Sequence, residues 1–106
     1  MLKRTKRRYL ALQVDSTEAV DQTQLMNALW NSITKLYGEH GASQTGLTLI
    51  EYDPDEKLAV IRTNNTALNM TRASIATITK IEEKPVAMHV STVSGTIKAL
   101  YKNLRQ

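Results

Sequence analysis

The chain is 106 residues long, with 42% apolar and 23% charged residues, a composition that suits one modest globular domain and excludes a disordered or membrane-embedded chain. It has no cysteine and two histidines, which excludes a disulfide framework and leaves no ligand set for a protein zinc site. The net charge of +4 conceals a segregation: residues 1–14 carry five positive charges and no acid, residues 15–83 carry ten acids against five bases, and residues 84–106 carry four positive charges and no acid.

If the fold brings the two basic ends together, they form a patch facing a polyanion, most simply nucleic acid. No run of residues approaches the length of a membrane span, and the N-terminal residues lack the apolar segment of a secretory signal. An intracellular protein with no membrane partner is expected.

Residues 1–7 read as a basic tail containing Lys3, Arg4, Lys6 and Arg7, too charged to pack, and residues 8–106 as a single domain. From Arg8 to Val14 the side chains alternate, with Leu10, Leu12 and Val14 on one face and Tyr9, Ala11 and Gln13 on the other. This predicts a first strand in a sheet covered by helices on one side, closed by a turn at Asp15-Ser16-Thr17. Leu25, Met26, Leu29, Trp30, Ile33, Leu36 and Tyr37 keep helical spacing, so a helix is predicted over 23–37, with Asp21 or Thr23 as cap and Gly38 just past its end. Residues 39–46 then read as a glycine-bearing loop, with His40 exposed in it.

Residues 47–52 and 58–64 are β-rich and flank Asp53-Pro54-Asp55-Glu56-Lys57, which predicts an antiparallel hairpin. The three carboxylates of that turn lack calcium-loop spacing and read as solvated turn acids. Asn64-Asn65-Thr66 caps a second helix predicted to run from Thr66 to about Ile81, with Leu68, Ile75 and Ile78 inward and Arg72 at the edge of the buried stripe. Glu82-Glu83-Lys84-Pro85 breaks that helix and leads into a strand over 86–93.

The stretch His89–Leu104 is the most informative. Alternation to Val93 predicts a strand with His89 on it, and Ile97, Leu100, Tyr101 and Leu104 fall at i, i+3, i+4 and i+7 of a following helix. At the junction Ser94-Gly95-Thr96, Ser94 or Thr96 can cap the helix and Gly95 can ease the turn, leaving N–H groups that suit an anion. Lys98, Lys102 and Arg105 line a cationic edge beside the apolar one.

The predicted order, βαββαβ plus a C-terminal helix, is an α+β fold: a four-stranded antiparallel sheet of the ferredoxin-like or RNA-recognition-motif-like kind. The extra helix must cover the open sheet face or an edge, or bind a partner. Stacking on unpaired bases needs aromatic residues on central strands, and here only Tyr9 qualifies. The remaining donors suit the phosphates and shape of folded RNA: Lys3, Arg4, Lys6, Arg7, Arg8, Arg62, Ser94, Gly95, Thr96, Lys98 and Lys102, with Arg72 as a further candidate. There is no nucleophile elbow, phosphate-binding glycine loop or separated carboxylate pair, and His89 has no visible orienting partner, so no catalytic residue is expected.

Arg8-Tyr9-Leu10, the strand Ala59-Val60-Ile61-Arg62, Arg72-Ala73 and above all Val93-Ser94-Gly95-Thr96-Ile97-Lys98 resemble the small protein subunit family of archaeal and eukaryotic ribonuclease P called protein component 2. The resemblance spans nearly the whole chain. It implies an RNA-recognition-motif-like fold with added helices, and a non-catalytic subunit of the ribonucleoprotein that removes the 5′ leader from precursor tRNA. It implies three partners: ribonuclease P RNA, a TIM-barrel-like protein component 3, and a second copy within a heterotetramer. Magnesium would belong to the RNA and no cofactor to this chain, and the location would be cytoplasmic in an archaeon or nuclear to nucleolar in a eukaryote. Arg8, Tyr9, Arg62 and Arg72 match family positions, whereas Lys98 stands where many members have arginine, keeping the charge but losing the bidentate fork. Ile97, Leu100, Tyr101 and Leu104 could serve the fold or a protein interface. Two other readings stand beside it: a regulatory domain binding small ligands between dimerised sheets, and an acylphosphatase-like enzyme, which the acidic Asp15-Ser16-Thr17-Glu18 after the first strand disfavours.

Overall fold

The computed structural model describes residues 6–104; Lys3, Arg4 and Arg105 lie outside the described residues. Strand β1 (Arg7–Ser16) forms because apolar residues occupy alternate positions, and it runs through Asp15 and Ser16 before turning. Helix α1 (Gln22–Ser43) starts at a capping box: the Asp21 carboxylate accepts from the Gln24 N–H at 2.8 Å and the Gln24 side chain accepts from the Asp21 N–H at 3.1 Å. Gly38, at φ 77° and ψ 172°, breaks α1 as expected, but a further helical segment follows it through Ser43. His40 therefore sits in an exposed helical turn rather than a loop.

Strands β2 (Thr48–Asp53) and β3 (Leu58–Asn64) form the expected antiparallel hairpin. The Asp53 carboxylate accepts from the N–H groups of Asp55 and Glu56, which closes the turn. A single 3₁₀ turn, Asn65–Ala67, leads into α2 (Leu68–Ala76). The expected run of α2 to Ile81 is corrected: the helix stops at Ala76, and Lys80–Ile81 is a short strand, β4, hairpinned onto β5 (Lys84–Ser94). Glu82 and Glu83, at φ 50° and 69°, form the two-residue turn, a conformation that usually calls for Asn-Gly. Helix α3 (Ile97–Leu104) completes the described residues. No described helix is long and apolar enough to cross a membrane.

The sheet order is β2-β3-β1-β5-β4, with every pairing antiparallel. Among the described residues the fold is thus α+β with five strands and three helices, one strand more than expected. Leu10, Leu12, Val14, Ala59 and Ile61 project to one face and pack with Leu25, Leu29, Ile33 and Ile75 from α1 and α2. Ala11 and Val60 project to the other face, where the fully buried Leu100 of α3 covers them with Ile97, Tyr101 and Leu104. The third helix closes the open sheet face, giving three layers, and its apolar side chains are engaged by the chain's own sheet.

Two bulges reset side-chain direction. Ala11 pairs with Thr92 but Leu12 with Val90, leaving Ser91 as the extra residue, its hydroxyl donating to Ala11 O at 3.2 Å. Strict alternation from His89 to Val93 is therefore interrupted, and Val90 and Val93 both pack on the α1/α2 side. The second bulge is at Ile50, between the pairs Leu49–Ile61 and Glu51–Val60, which turns Glu51 toward α3 and Tyr52 toward the main core. The Tyr52 hydroxyl donates to Val20 O, and burial followed by the charge of Asp21 raises its pKa.

Candidate nucleic-acid interface

The start of β1 pairs with the end of β3 and the end of β5: Arg7 faces Asn64, Arg8 faces Thr63, and Tyr9 lies between Arg62 and Ser94. The basic N-terminal residues and the β5–α3 junction are thereby neighbours, and one end of the sheet collects Lys6, Arg7, Arg8, Arg62 and, in the first turn of α3, Lys98. The terminal charges do not all gather there. Lys84 lies at the far end of β5, where its Nζ donates to Ala19 O at 2.8 Å, and Lys102 is a turn further along α3. Arg72 is exposed on α2, across the sheet from α3, so it does not join the other candidates.

Thr96 caps α3: its hydroxyl accepts from the Ala99 N–H at 3.2 Å, and its carbonyl from the Leu100 N–H at 3.1 Å. Ser94 accepts from the Thr96 N–H at 3.4 Å. Gly95 does not use the left-handed conformation; the Arg8 guanidinium lies beside it, Nη1 3.4 Å from where a Cβ would stand, an ordinary contact. Arg8 Nη1 also donates to Arg7 O at 3.1 Å.

On the α3 side of the sheet, Thr48, Arg62, Tyr9 and Ser94 form a row across β2, β3, β1 and β5, all half-buried. Thr48 escaped the sequence reading; pairing β2 with β3 would have found it, but the bulge at Ile50 hides that register. One strand position inward, the Tyr101 hydroxyl donates to Glu51. Burial, then that hydrogen bond and the carboxylate charge, push the Tyr101 pKa up to about 12. Leu100 has no exposed surface, whereas Ile97, Tyr101 and Leu104 are half-buried against the sheet and keep part of their surface open.

The loop after β1, where a phosphate-cradling enzyme loop would lie, is closed by its own contacts. Ser16 Oγ donates to Glu18 O at 2.6 Å and Lys57 Nζ donates to Ser16 O at 2.8 Å. His89 Nε2 lies 3.6 Å from Asp15 Oδ2, both exposed, a surface pair of small energetic weight. A groove of about 620 Å³ runs between α1 and residues 77–82, lined by polar residues such as Asn27, Asn31, Ser32 and Lys35.

The chain is 30% identical over 95 residues to ribonuclease P protein component 2 of Methanosarcina mazei, an alignment covering 90% of this chain and 80% of that protein. It is 34% identical over 95 residues to the protein of the same name from Methanosarcina barkeri, covering 90% and 69%. The Methanobrevibacter smithii protein of that name is 30% identical over 106 residues, covering 93% and 88%. A chain in the cryo-EM structure of yeast ribonuclease MRP superposes with a TM-score of 0.73 at 19% identity, covering all of this chain and 96% of that one, a likeness of fold. The Rpp14/Pop5 family model matches residues 8–105, nearly the whole chain, and the chain belongs to that family.

Proposed function

We propose that this chain is a non-catalytic protein subunit of ribonuclease P, acting in 5′-leader removal from precursor tRNA by binding and supporting the RNA subunit. The observation that carries the reading is the gathering of Arg7, Arg8, Arg62 and Lys98 at one end of the sheet in a member of this family. The sheet is an RNA-recognition-motif-like βαββαβ core with β4 and α3 added. With α3 over its face, the core has no open platform of aromatic residues, so it holds folded RNA through phosphates and shape. Protein partners, a TIM-barrel-like component 3 and a second copy, belong to the same proposal.

The test is binding and reconstitution with the ribonuclease P RNA of the source organism over a salt series. If the five cations Lys6, Arg7, Arg8, Arg62 and Lys98 each meet a phosphate, log Kd against log salt has a slope of about 4, so affinity falls roughly two orders of magnitude between 50 and 200 mM salt. Addition of the chain should also raise precursor-tRNA cleavage by the RNA with its other subunits. Salt-independent binding, or reconstituted cleavage that ignores this chain, would overturn the proposal.

A further inference from the structure

We infer that Arg62 is a phosphate clamp, holding one phosphodiester of folded RNA at the rim of α3; this rests on the ribonuclease P reading above. Arg62 sits on the central strand β3, half-buried on the α3 face, directly between Thr48 and Tyr9. A guanidinium carries five N–H donors and is charged at every accessible pH. Here Nη2 makes one long contact, 3.5 Å to Thr48 Oγ1. Nε is shut off from solvent with no hydrogen-bond partner, and it is the one such buried side-chain atom among the described residues.

Among the described residues no carboxylate oxygen lies within 4 Å, ion-pair distance, of the guanidinium, and the ion pairs are Lys80–Glu83 and His89–Asp15, both elsewhere. Glu51, an acid of β2 on the α3 side, accepts from the neutral Tyr101 hydroxyl and forms no ion pair with Arg62. By strand alternation Arg7, a further cation, shares the Arg62 face. A half-buried cation without an anion or a full set of acceptors weakens the isolated domain, and an apolar side chain of similar size would fill the place with less strain on the fold. An anion joining the free donors removes that deficit. With the side chain rotated to bring Nε to the surface, Nε and an Nη form the fork that grips two oxygens of one phosphate.

The surroundings favour a nucleic-acid backbone over a protein carboxylate. The row Thr48–Arg62–Tyr9–Ser94 crosses four strands spaced about 4.8 Å apart, all its other members bearing a hydroxyl, with that of Thr48 3.5 Å from the guanidinium. Cations continue beyond it at Lys6, Arg7, Arg8 and Lys98, a line suited to a polyanion rather than to one acidic side chain.

The experiment compares wild type, Arg62→Leu and Arg62→Lys by thermal melting and by RNA binding across the salt series. R62L should melt at the wild-type temperature or above it, bind ribonuclease P RNA at least tenfold more weakly, and show a salt slope shallower by about one. R62K should recover only a minor part of the affinity, since the ammonium lacks the fork. If R62L melts well below wild type while R62K restores both melting temperature and affinity, the arginine is structural and the inference is overturned. If R62L binds RNA as wild type does, the clamp alone is overturned; if wild type binds no RNA, the subunit reading falls with it. Independently of the variants' folding, the wild-type arginine Nε–H resonance missing from R62K should shift and exchange more slowly on titration with a short RNA hairpin. No response to the hairpin, or a response to polyglutamate alone, would overturn the inference.

Discussion

Leu100→Ala tests whether α3 belongs to this fold or waits for a partner. The side chain has no exposed surface and lies on Ala11 and Val60, flanked by Ile97, Tyr101 and Leu104. An eight-residue helix is too short to persist alone, so α3 exists through docking. Truncating a fully buried leucine removes its transfer free energy and leaves a cavity, about 3 kcal/mol together. Because α3 closes the face of the central strands β1 and β3, that loss should lower the melting temperature by roughly 10–20 °C. In native-state hydrogen exchange, amides of the last turn of α3 should exchange about 100-fold faster, 1.4 kcal/mol corresponding to a factor of ten. Leu36→Ala, at a side chain 46% exposed, is the control and should change stability by less than about 0.5 kcal/mol. Unchanged exchange in α3 of L100A, with a melting point matching the control, would refute the docked helix.

Asp21→Ala removes the carboxylate half of the α1 capping box and should cost about 1 kcal/mol, read as a drop in urea midpoint at constant m-value. Gly46→Ala should destabilise by more than about 1 kcal/mol, because a left-handed φ of 62° is joined by a Cβ 2.7 Å from Asn64 Oδ1; shortening Asn64 to serine in a double variant should relieve part of that cost. Gly38→Ala meets nothing within 4 Å, yet φ 77° with ψ 172° is essentially confined to glycine, so it should cost about 1–3 kcal/mol whatever its neighbours. Tyr101→Phe should alter stability at high pH. The folded tyrosine holds its proton to about 12 and the unfolded one to about 10, so the native state binds more protons between these values. Wild-type stability from this group is complete below pH 10 and lost as pH rises toward 12. The wild-type and Y101F unfolding curves should converge across that window, and a constant gap would refute the assigned shift.

Much of the architecture was legible in local sequence. Leu10, Leu12 and Val14 alternate because one face of β1 is buried, and Leu25, Leu29 and Ile33 repeat at helical spacing because one face of α1 is buried. The end of α2 was not legible. Ile75, Ile78 and Ile81 continue a helical period, while the β-branched Thr77-Ile78-Thr79 equally suits extended chain. Pairing of Lys80–Ile81 with Lys84–Pro85 decides between them, through a turn that places two glutamates at positive φ where local rules look for Asn-Gly. The cationic end divides in the same way: the arginines were visible in the sequence, but the exclusion of Arg72 and the inclusion of Thr48 depend on which elements share a face.

The sequence by itself determined the binary pattern, the class of the fold, the segregation of charge to the chain ends and the apolar stripe of α3, since each is a property of residues within a turn or two of one another. Only the tertiary structure decided that the stripe covers the open sheet face, that bulges at Ser91 and Ile50 redirect the side chains beyond them, and that Arg62 stands between Thr48 and Tyr9 with its Nε unpartnered. The physical reason is that register, bulges and the partners of a buried charge arise from backbone pairings between segments tens of residues apart, which no local periodicity records.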